Sequence, residues 1–270
     1  MPLLTMKEIL AEFDHVDDPD VVTRSKTSPA LRAALGMSRP ENWHGTGLSP
    51  DRVLPIATED GIPVVWLPRA DVLKTLVASP SGQRHGVLEA HGVQVIADCR
   101  ARLGECHDPW IADSAHLLGK AIDAFDSGHH EAAMALAVSV GEPLALWASV
   151  PRVQIFDSED DRDRWEKNRQ QKKYKLASME LAATSTEAQK RRYEICRHAL
   201  IAPVSTFFAE FRPGDPEPEL LSRHVVAHAP TKAHFSRRNA IIALMLAVSI
   251  LREQEEWCQE VRATDAMDDA

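Results

Sequence analysis

The chain has 270 residues, of which 44% are hydrophobic and 26% are charged. This length and composition are those of an ordinary globular protein with one large domain or two small ones. The net charge of −9 makes the chain a poor general binder of polyanions, so a nucleic-acid function would need a local basic patch.

Membrane insertion and secretion are not expected from the sequence. No apolar run reaches the roughly 18 residues of a transmembrane helix. The opening "MPLLTMKEILAEF" has neither a basic region nor a cleavage site, and the four cysteines form no C-x-x-C pair. We therefore expect a cytoplasmic protein with free thiols and no membrane partner.

Residues 1–80 are expected to form a loop-rich N-terminal region. The stretch "LTMKEILAEF" predicts a helix with a capping box between Thr5 and Glu8. Residues 14–52 predict loops with one short helix near "SPALRAAL". The two apolar runs of "VLPIATEDGIPVVWLP" predict a β-hairpin over residues 53–67. A helix is expected to follow at "RADVLKTLVAS".

From residue 81 to residue 262 the pattern predicts an antiparallel helical bundle, so the fold class is mostly α. One long helix is expected over "GQRHGVLEAHGVQVIADCRARLGEC" and a second over "WIADSAHLLGKAIDAFDSG". A third, "HHEAAMALAVSVGEPLALWAS", is expected to split near Gly141, Glu142 and Pro143. A charged helical insert is predicted over residues 157–190.

The last third of the chain predicts three further helices and a disordered acidic tail. The helix "TSTEAQKRRYEICRHALIAPVSTFFAEF" should break or kink at Pro203. The next, "PELLSRHVVAHA", should stop at Pro230. The final helix should be capped by Ser236, and its segment 240–251 is apolar all round, which predicts complete burial. Residues 263–270 are expected to be disordered.

Several candidate sites are weak. The adjacent pair His129 and His130 is more typical of an exposed turn than of a metal site, and Cys106-His107 lacks a second ligand pair at zinc spacing. Phosphate-loop, dinucleotide and G-x-S-x-G motifs are absent from the sequence. The sequence therefore predicts neither a metal nor a cofactor.

Two basic stretches, "KNRQQKKYK" and "KRRY", allow two interpretations. The first is a solvated helix face that balances the acids at 157–163. The second is an RNA-facing patch on which Tyr174 or Tyr193 stacks bases. The candidate RNA-binding residues are Lys172, Lys173, Lys175, Arg191, Arg192, Arg237 and Arg238.

The segment "RHVVAH", residues 223–228, resembles the R-x-x-x-x-H signature of HEPN domains, with a polar histidine directly after the arginine. Pro230 and the apolar "NAIIALMLAVSILRE" follow it, as the final helix follows the motif in that family. The stretch "AIDAFDSGHHEAAMALAVSV" is similar to the family's opening helical hairpin. The resemblance covers residues 110–262.

The resemblance implies a helical, metal-independent endoribonuclease that cleaves RNA by attack of its own 2′-hydroxyl. Arg223 and His228 would be catalytic, and His224 would assist. Histidine titrates near neutral pH and can serve as general base or acid, and arginine offers a bidentate fork to phosphate oxygens. Family members pair two motifs in a homodimer. A toxin or defence effector with an antitoxin or regulatory partner fits this class.

A structural interpretation of the same residues stays open. Arg223 can pair with a carboxylate, and His228 can end a helix favourably at its negative pole. The alternative function is a non-catalytic helical interaction or regulatory module with residues 157–193 as its partner surface. A solvent-open cleft containing Arg223, His224 and His228 would favour the enzyme, whereas burial of His228 in an apolar core would favour the module.

Overall fold

The computed structural model describes residues 40–44, 46–148, 192–209, 211–212 and 214–268. Within these ranges the chain forms nine α-helices and no strand, and the helices hold 70% of the residues. The mostly helical prediction is therefore confirmed for the described part. The helices are α1 (Pro50–Thr58), α2 (Ala70–Ala78), α3 (Ser81–Ala90), α4 (Gly92–Leu103), α5 (Ala112–Asp126), α6 (His130–Ala148), α7 (Arg192–Phe207), α8 (Arg223–His228) and α9 (Arg237–Asp268).

The central element is α9, which packs against α3, α4, α5, α6 and α7. Every residue from Ala240 to Leu251 is buried, as the all-round apolar pattern predicts. The cap at its start is also confirmed, because the Asn239 amide donates to Ser236 Oγ at 3.2 Å. No helix in the described ranges is long and apolar enough to span a bilayer.

Helices α5 and α6 form a hairpin that packs against α9. The turn requires Gly128, whose φ of +84° lies in the left-handed region. The amide of His129 donates to the carbonyl of Ala124 at 2.8 Å, and the Gly128 amide donates to the carbonyl of Phe125 at 2.9 Å. This pair of bonds ends α5 as a Schellman motif and directs the chain back along the bundle.

The predicted β-hairpin at 53–67 is wrong. Residues 50–58 form α1, with Pro50 in its first turn and buried Val53, Ile56 and Ala57 at helical spacing. The buried stretch after it, residues 62–67, pairs with side chains instead of a second strand. Asn42 Nδ2 and Trp43 Nε1 both donate to the Val64 carbonyl, at 3.0 and 2.7 Å.

The N-terminal segment and the bundle share a core. One cluster of buried apolar side chains extends from Trp43 to Leu251 and includes residues of α1 and α2. The described part of the predicted N-terminal region, from residue 40, is thus packed onto the bundle. The predicted helix at Thr5, the short helix near "SPALRAAL" and the charged insert 157–190 lie outside the described residues.

Several predicted helix boundaries were wrong. The first long helix is divided at His91 into α3 and α4, whereas α6 continues through Pro143. Helix α7 continues through Pro203, so the predicted break there is wrong, and the alternative of a kink stays a prediction. An internal proline costs about 3 kcal/mol. Helix α6 packs against α9, and the burial of neighbouring residues such as Leu144 and Ala145 offsets that cost.

Two further helix boundaries in the last third of the chain differ from those predicted. Helix α8 has only six residues, because the amide of Ser222 is bonded outside a helix. The final helix continues to Asp268, into the segment predicted to be disordered, since helix extension needs no new nucleus.

Candidate functional site around α8

The HEPN-like motif occupies all of α8, which packs against α6. Val225 is fully buried and anchors the helix, while His228 is its last residue and is exposed. The rings of His224 and His228 have centroids 5.9 Å apart. The predicted shared face of the two histidines is therefore confirmed, and it reaches solvent.

Arg223 turns towards the neighbouring helices. Its guanidinium carbon lies 5.2 Å from the centre of the Phe208 ring, and Nη1 lies 3.1 Å from Oε1 of Glu142 in α6. The side chain is 12% exposed. The carboxylate pairing that the sequence left as an alternative is thus present. His228 is exposed, so the burial that would have favoured the interaction module is not observed.

A buried histidine in the segment between α8 and α9 holds the start of α8 in place. His234 is 2% exposed, and its Nε2 accepts a hydrogen bond from the Ser222 amide at 3.1 Å. Its own carbonyl accepts from Asn239 Nδ2 at 2.9 Å. These bonds tie the residue before α8 to the first turn of α9. Nothing in the sequence pattern indicated this positioning role, because it depends on a contact between residues 12 positions apart.

The protonation state of His234 follows from its surroundings. Burial lowers the pKa of its imidazole, while Glu217, whose Oε1 lies 3.8 Å from Nδ1, acts in the opposite direction. Since the Ser222 amide donates to Nε2, that nitrogen must carry a lone pair, and the proton resides on Nδ1. The bond to Ser222 therefore requires the neutral ring.

The predicted RNA-binding residues fall into two groups. Lys172, Lys173, Lys175 and Arg191 lie outside the described residues, and Arg192 is described only as the backbone start of α7. Arg237 donates to the Glu89 carbonyl at 2.8 Å and lies against Gly92, where a Cβ would collide with its guanidinium. Arg238 donates to the Glu219 carbonyl at 3.3 Å. These two arginines bind backbone carbonyls of neighbouring segments.

A second polar cluster, which the sequence did not indicate, lies along the second half of α9. Arg252 bonds Glu105 and Glu256, and its guanidinium carbon is 4.6 Å from the centre of the Trp66 ring. The buried Glu255 accepts from the amides of His107 and Asp108, at 2.9 and 2.8 Å. We refer to Trp66, Glu105, Arg252, Glu255 and Glu256 as the α9 clamp, because they tie α9 to the loops after α1 and α4.

No group of three or more His, Cys, Asp or Glu side chains in the part of the chain that the structure describes is arranged to hold a metal ion. Cys99, Cys106 and Cys258 form no disulfide within the described ranges, and all three are buried. Burial raises the pKa of Cys106 to about 12, so its reactive thiolate is scarce at neutral pH.

Comparisons with protein-family models, curated proteins and solved structures return no match to this chain. The likeness to HEPN domains therefore stays a prediction that rests on the motif and its helical setting.

Proposed function

We propose that the chain is a HEPN-like, metal-independent endoribonuclease with its site on α8. The observation that supports this most directly is the pair of histidines, His224 and His228, whose rings lie 5.9 Å apart on a solvent-facing helix end. Arg223 immediately precedes them. General acid–base chemistry on a phosphodiester needs these side-chain types close together.

The proposed reaction assigns a role to each side chain. His228, the more exposed histidine, takes the proton from the RNA 2′-hydroxyl as that oxygen attacks the adjacent phosphorus. A second histidine, His224 or its equivalent in a partner copy, gives a proton to the departing 5′-oxygen. Arg223 stabilises the charge on the phosphorane through its bidentate fork. The products are a 2′,3′-cyclic phosphate and a free 5′-hydroxyl.

The proposal includes a homodimer, because one motif supplies few catalytic groups. Two copies of α8 would line one cleft that binds RNA. Light scattering should then report a dimer at micromolar concentration. A monomer at that concentration would count against the paired motif, although it would leave binding of RNA to a single motif possible. An antitoxin or regulatory partner and a role in defence belong to the same proposal.

One observation favours a second candidate, a non-catalytic helical interaction or regulatory module. Arg223 is 12% exposed and paired with Glu142, and Arg237 and Arg238 are bonded to backbone carbonyls. In such a module these arginines would have structural roles.

The two candidates are separated by incubating the purified protein with total RNA in the presence of EDTA. Cleavage that yields cyclic-phosphate ends supports the ribonuclease, since histidines and arginine can complete the chemistry. Intact RNA supports the module. A preparation of Arg223→Lys, which keeps the charge but loses the fork, serves to exclude a contaminating nuclease.

A further inference from the structure

The ion pair between Glu142 and Arg223 joins the proposed site to the middle of α6. Glu142 belongs to α6, and its Oε1 lies 3.1 Å from Nη1 of Arg223. The two partners differ in exposure: the Glu142 side chain is 34% exposed and that of Arg223 is 12% exposed. Glu142 therefore lies nearer the surface, and it can rotate into water without opening the core.

A carboxylate and a phosphodiester compete for the same donors of a guanidinium. Both present two oxygens that match the planar fork of arginine, at similar hydrogen-bond lengths. While Glu142 is bound to Arg223, the carboxylate neutralises the charge of the guanidinium. The Phe208 ring lies against one face of the same guanidinium. A phosphate arriving from solvent would therefore have to displace the carboxylate.

We propose that Glu142 is an internal latch, a carboxylate that takes the place of substrate phosphate on Arg223 and lowers the affinity of the site for RNA. This inference rests on the proposed function, because it names a regulator of the same site. Anything that draws Glu142 away from α8, such as a basic group of a partner copy or of the RNA-bound dimer, would open the site. The described structure is then its closed form.

The latch is tested by binding of a fluorescent 2′-O-methyl RNA oligonucleotide, which has no 2′-hydroxyl and cannot be cut by this route. Fluorescence anisotropy should show that Glu142→Gln binds about 5- to 10-fold more tightly than the wild type, a change of roughly 1–1.4 kcal/mol. The gain should disappear when Arg223→Gln is added.

A matched control is available on the same helix. Glu131 is an exposed carboxylate in the first turn of α6, eleven residues before Glu142, or about 16 Å along the axis. Glu131→Gln changes the net charge by the same amount as Glu142→Gln. Position 131 is farther from Glu142 than the Debye length, which is about 8 Å at physiological salt. The RNA affinity of Glu131→Gln should stay within about two-fold of the wild type. A larger change would mean that the tighter binding of Glu142→Gln comes from net charge and not from the ion pair with Arg223.

A second measurement judges the latch without RNA. Phenylglyoxal modifies accessible arginines, and mass spectrometry reports the rate at each position. Arg223 should react several-fold faster in Glu142→Gln than in the wild type or Glu131→Gln. Equal rates in all three proteins would overturn the latch, whatever the RNA result. Weaker RNA binding by Glu142→Gln would also overturn it, because Glu142 would then position Arg223 for the ligand.

The two proposals fail differently. If none of these proteins binds or cleaves RNA, the ribonuclease proposal is wrong, and the phenylglyoxal rates alone decide whether Glu142 shields Arg223. If wild type and Glu142→Gln bind RNA equally and both need Arg223, the ribonuclease proposal stands and the latch is wrong.

Discussion

Two regions of the molecule place an arginine against an aromatic ring and a carboxylate, and they differ in what surrounds the pair. In the α9 clamp, Arg252 lies over Trp66 and bonds both Glu105 and Glu256. At the start of α8, Arg223 lies against Phe208 and pairs with Glu142. The two arginine side chains are almost equally exposed, at 11% and 12%.

A part-buried arginine is therefore not by itself a sign of a functional site. In the α9 clamp, Arg252 binds Glu256 of α9 and Glu105 of the loop after α4, so it holds α9 against that loop. Its role is therefore structural. The α8 region adds two neighbouring histidines that reach solvent. This pair of imidazole rings beside the arginine distinguishes the second arrangement from the first.

The largest expected effect is on catalysis. In the proposed enzyme, His228→Ala should lower the rate of RNA cleavage by about 10²–10⁴-fold, because a general acid–base group is lost. The fold should persist, since His228 is exposed at a helix end. Single-turnover cleavage of a labelled RNA in EDTA measures the rate, and circular dichroism measures the fold. His224→Ala should have a smaller effect if that ring only assists.

The control for this experiment is His116→Ala, which removes an exposed histidine from α5. It should cleave as the wild type does. A His228→Ala protein that also cleaves normally would remove the functional distinction between the two regions. Loss of solubility in His228→Ala would instead indicate a structural histidine.

The next effect is on stability, and it should be larger at the α9 clamp. Arg252→Met leaves Glu105 and Glu256 without their shared cation and removes the stacking on Trp66, so we expect a loss of about 2 kcal/mol. Arg223→Met removes the cation beside Glu142, whose carboxylate can rotate into solvent, and we expect a loss of about 1 kcal/mol. Urea unfolding monitored by circular dichroism measures both. Equal losses would show that Arg223 is as much a structural residue as Arg252.

The sequence predicted those elements whose determinants are local. The uniform apolarity of residues 240–251 predicted a buried central helix, which the structure contains. Gly128 correctly indicated the turn that follows α5. The short apolar runs around Val53 and Ile56 favour a strand, whereas the segment that holds both residues is helical. Helical spacing within that run, together with Pro50 in the first turn, is the signal that would have identified α1.

The candidate site could be predicted only in part. The shared face of His224 and His228 follows from their spacing of four residues on a helix. The partners of Arg223 come from α6 and from the residue after α7, which tertiary packing brings together. His234 was missed for the same reason, since its bond to Ser222 depends on how the segment between α8 and α9 folds back.

The smallest expected effect concerns the pH dependence that His234 gives to the α8 region. Burial holds the pKa of this histidine below the ordinary value of about 6.5, although Glu217 opposes the shift and Arg238 adds to it. Between the folded and unfolded pKa values the unfolded chain binds more protons. The free energy of unfolding should therefore fall as the pH is lowered through about 6.5, and the loss should be complete below the folded pKa.

His234→Gln isolates this contribution, because a glutamine oxygen can still accept from the Ser222 amide and does not titrate. The free energy of unfolding of His234→Gln, measured in urea, should fall less than that of the wild type between about pH 7.5 and about pH 5.5. This range extends roughly one pH unit on either side of the ordinary histidine pKa. Burial also lowers the pKa of His85, so both proteins should keep a residual slope from that residue. The exposed control His116→Gln should run parallel to the wild type. If His234→Gln has the wild-type slope, protonation of His234 does not limit the stability of this region, and the Ser222 bond is not the pH-sensitive contact.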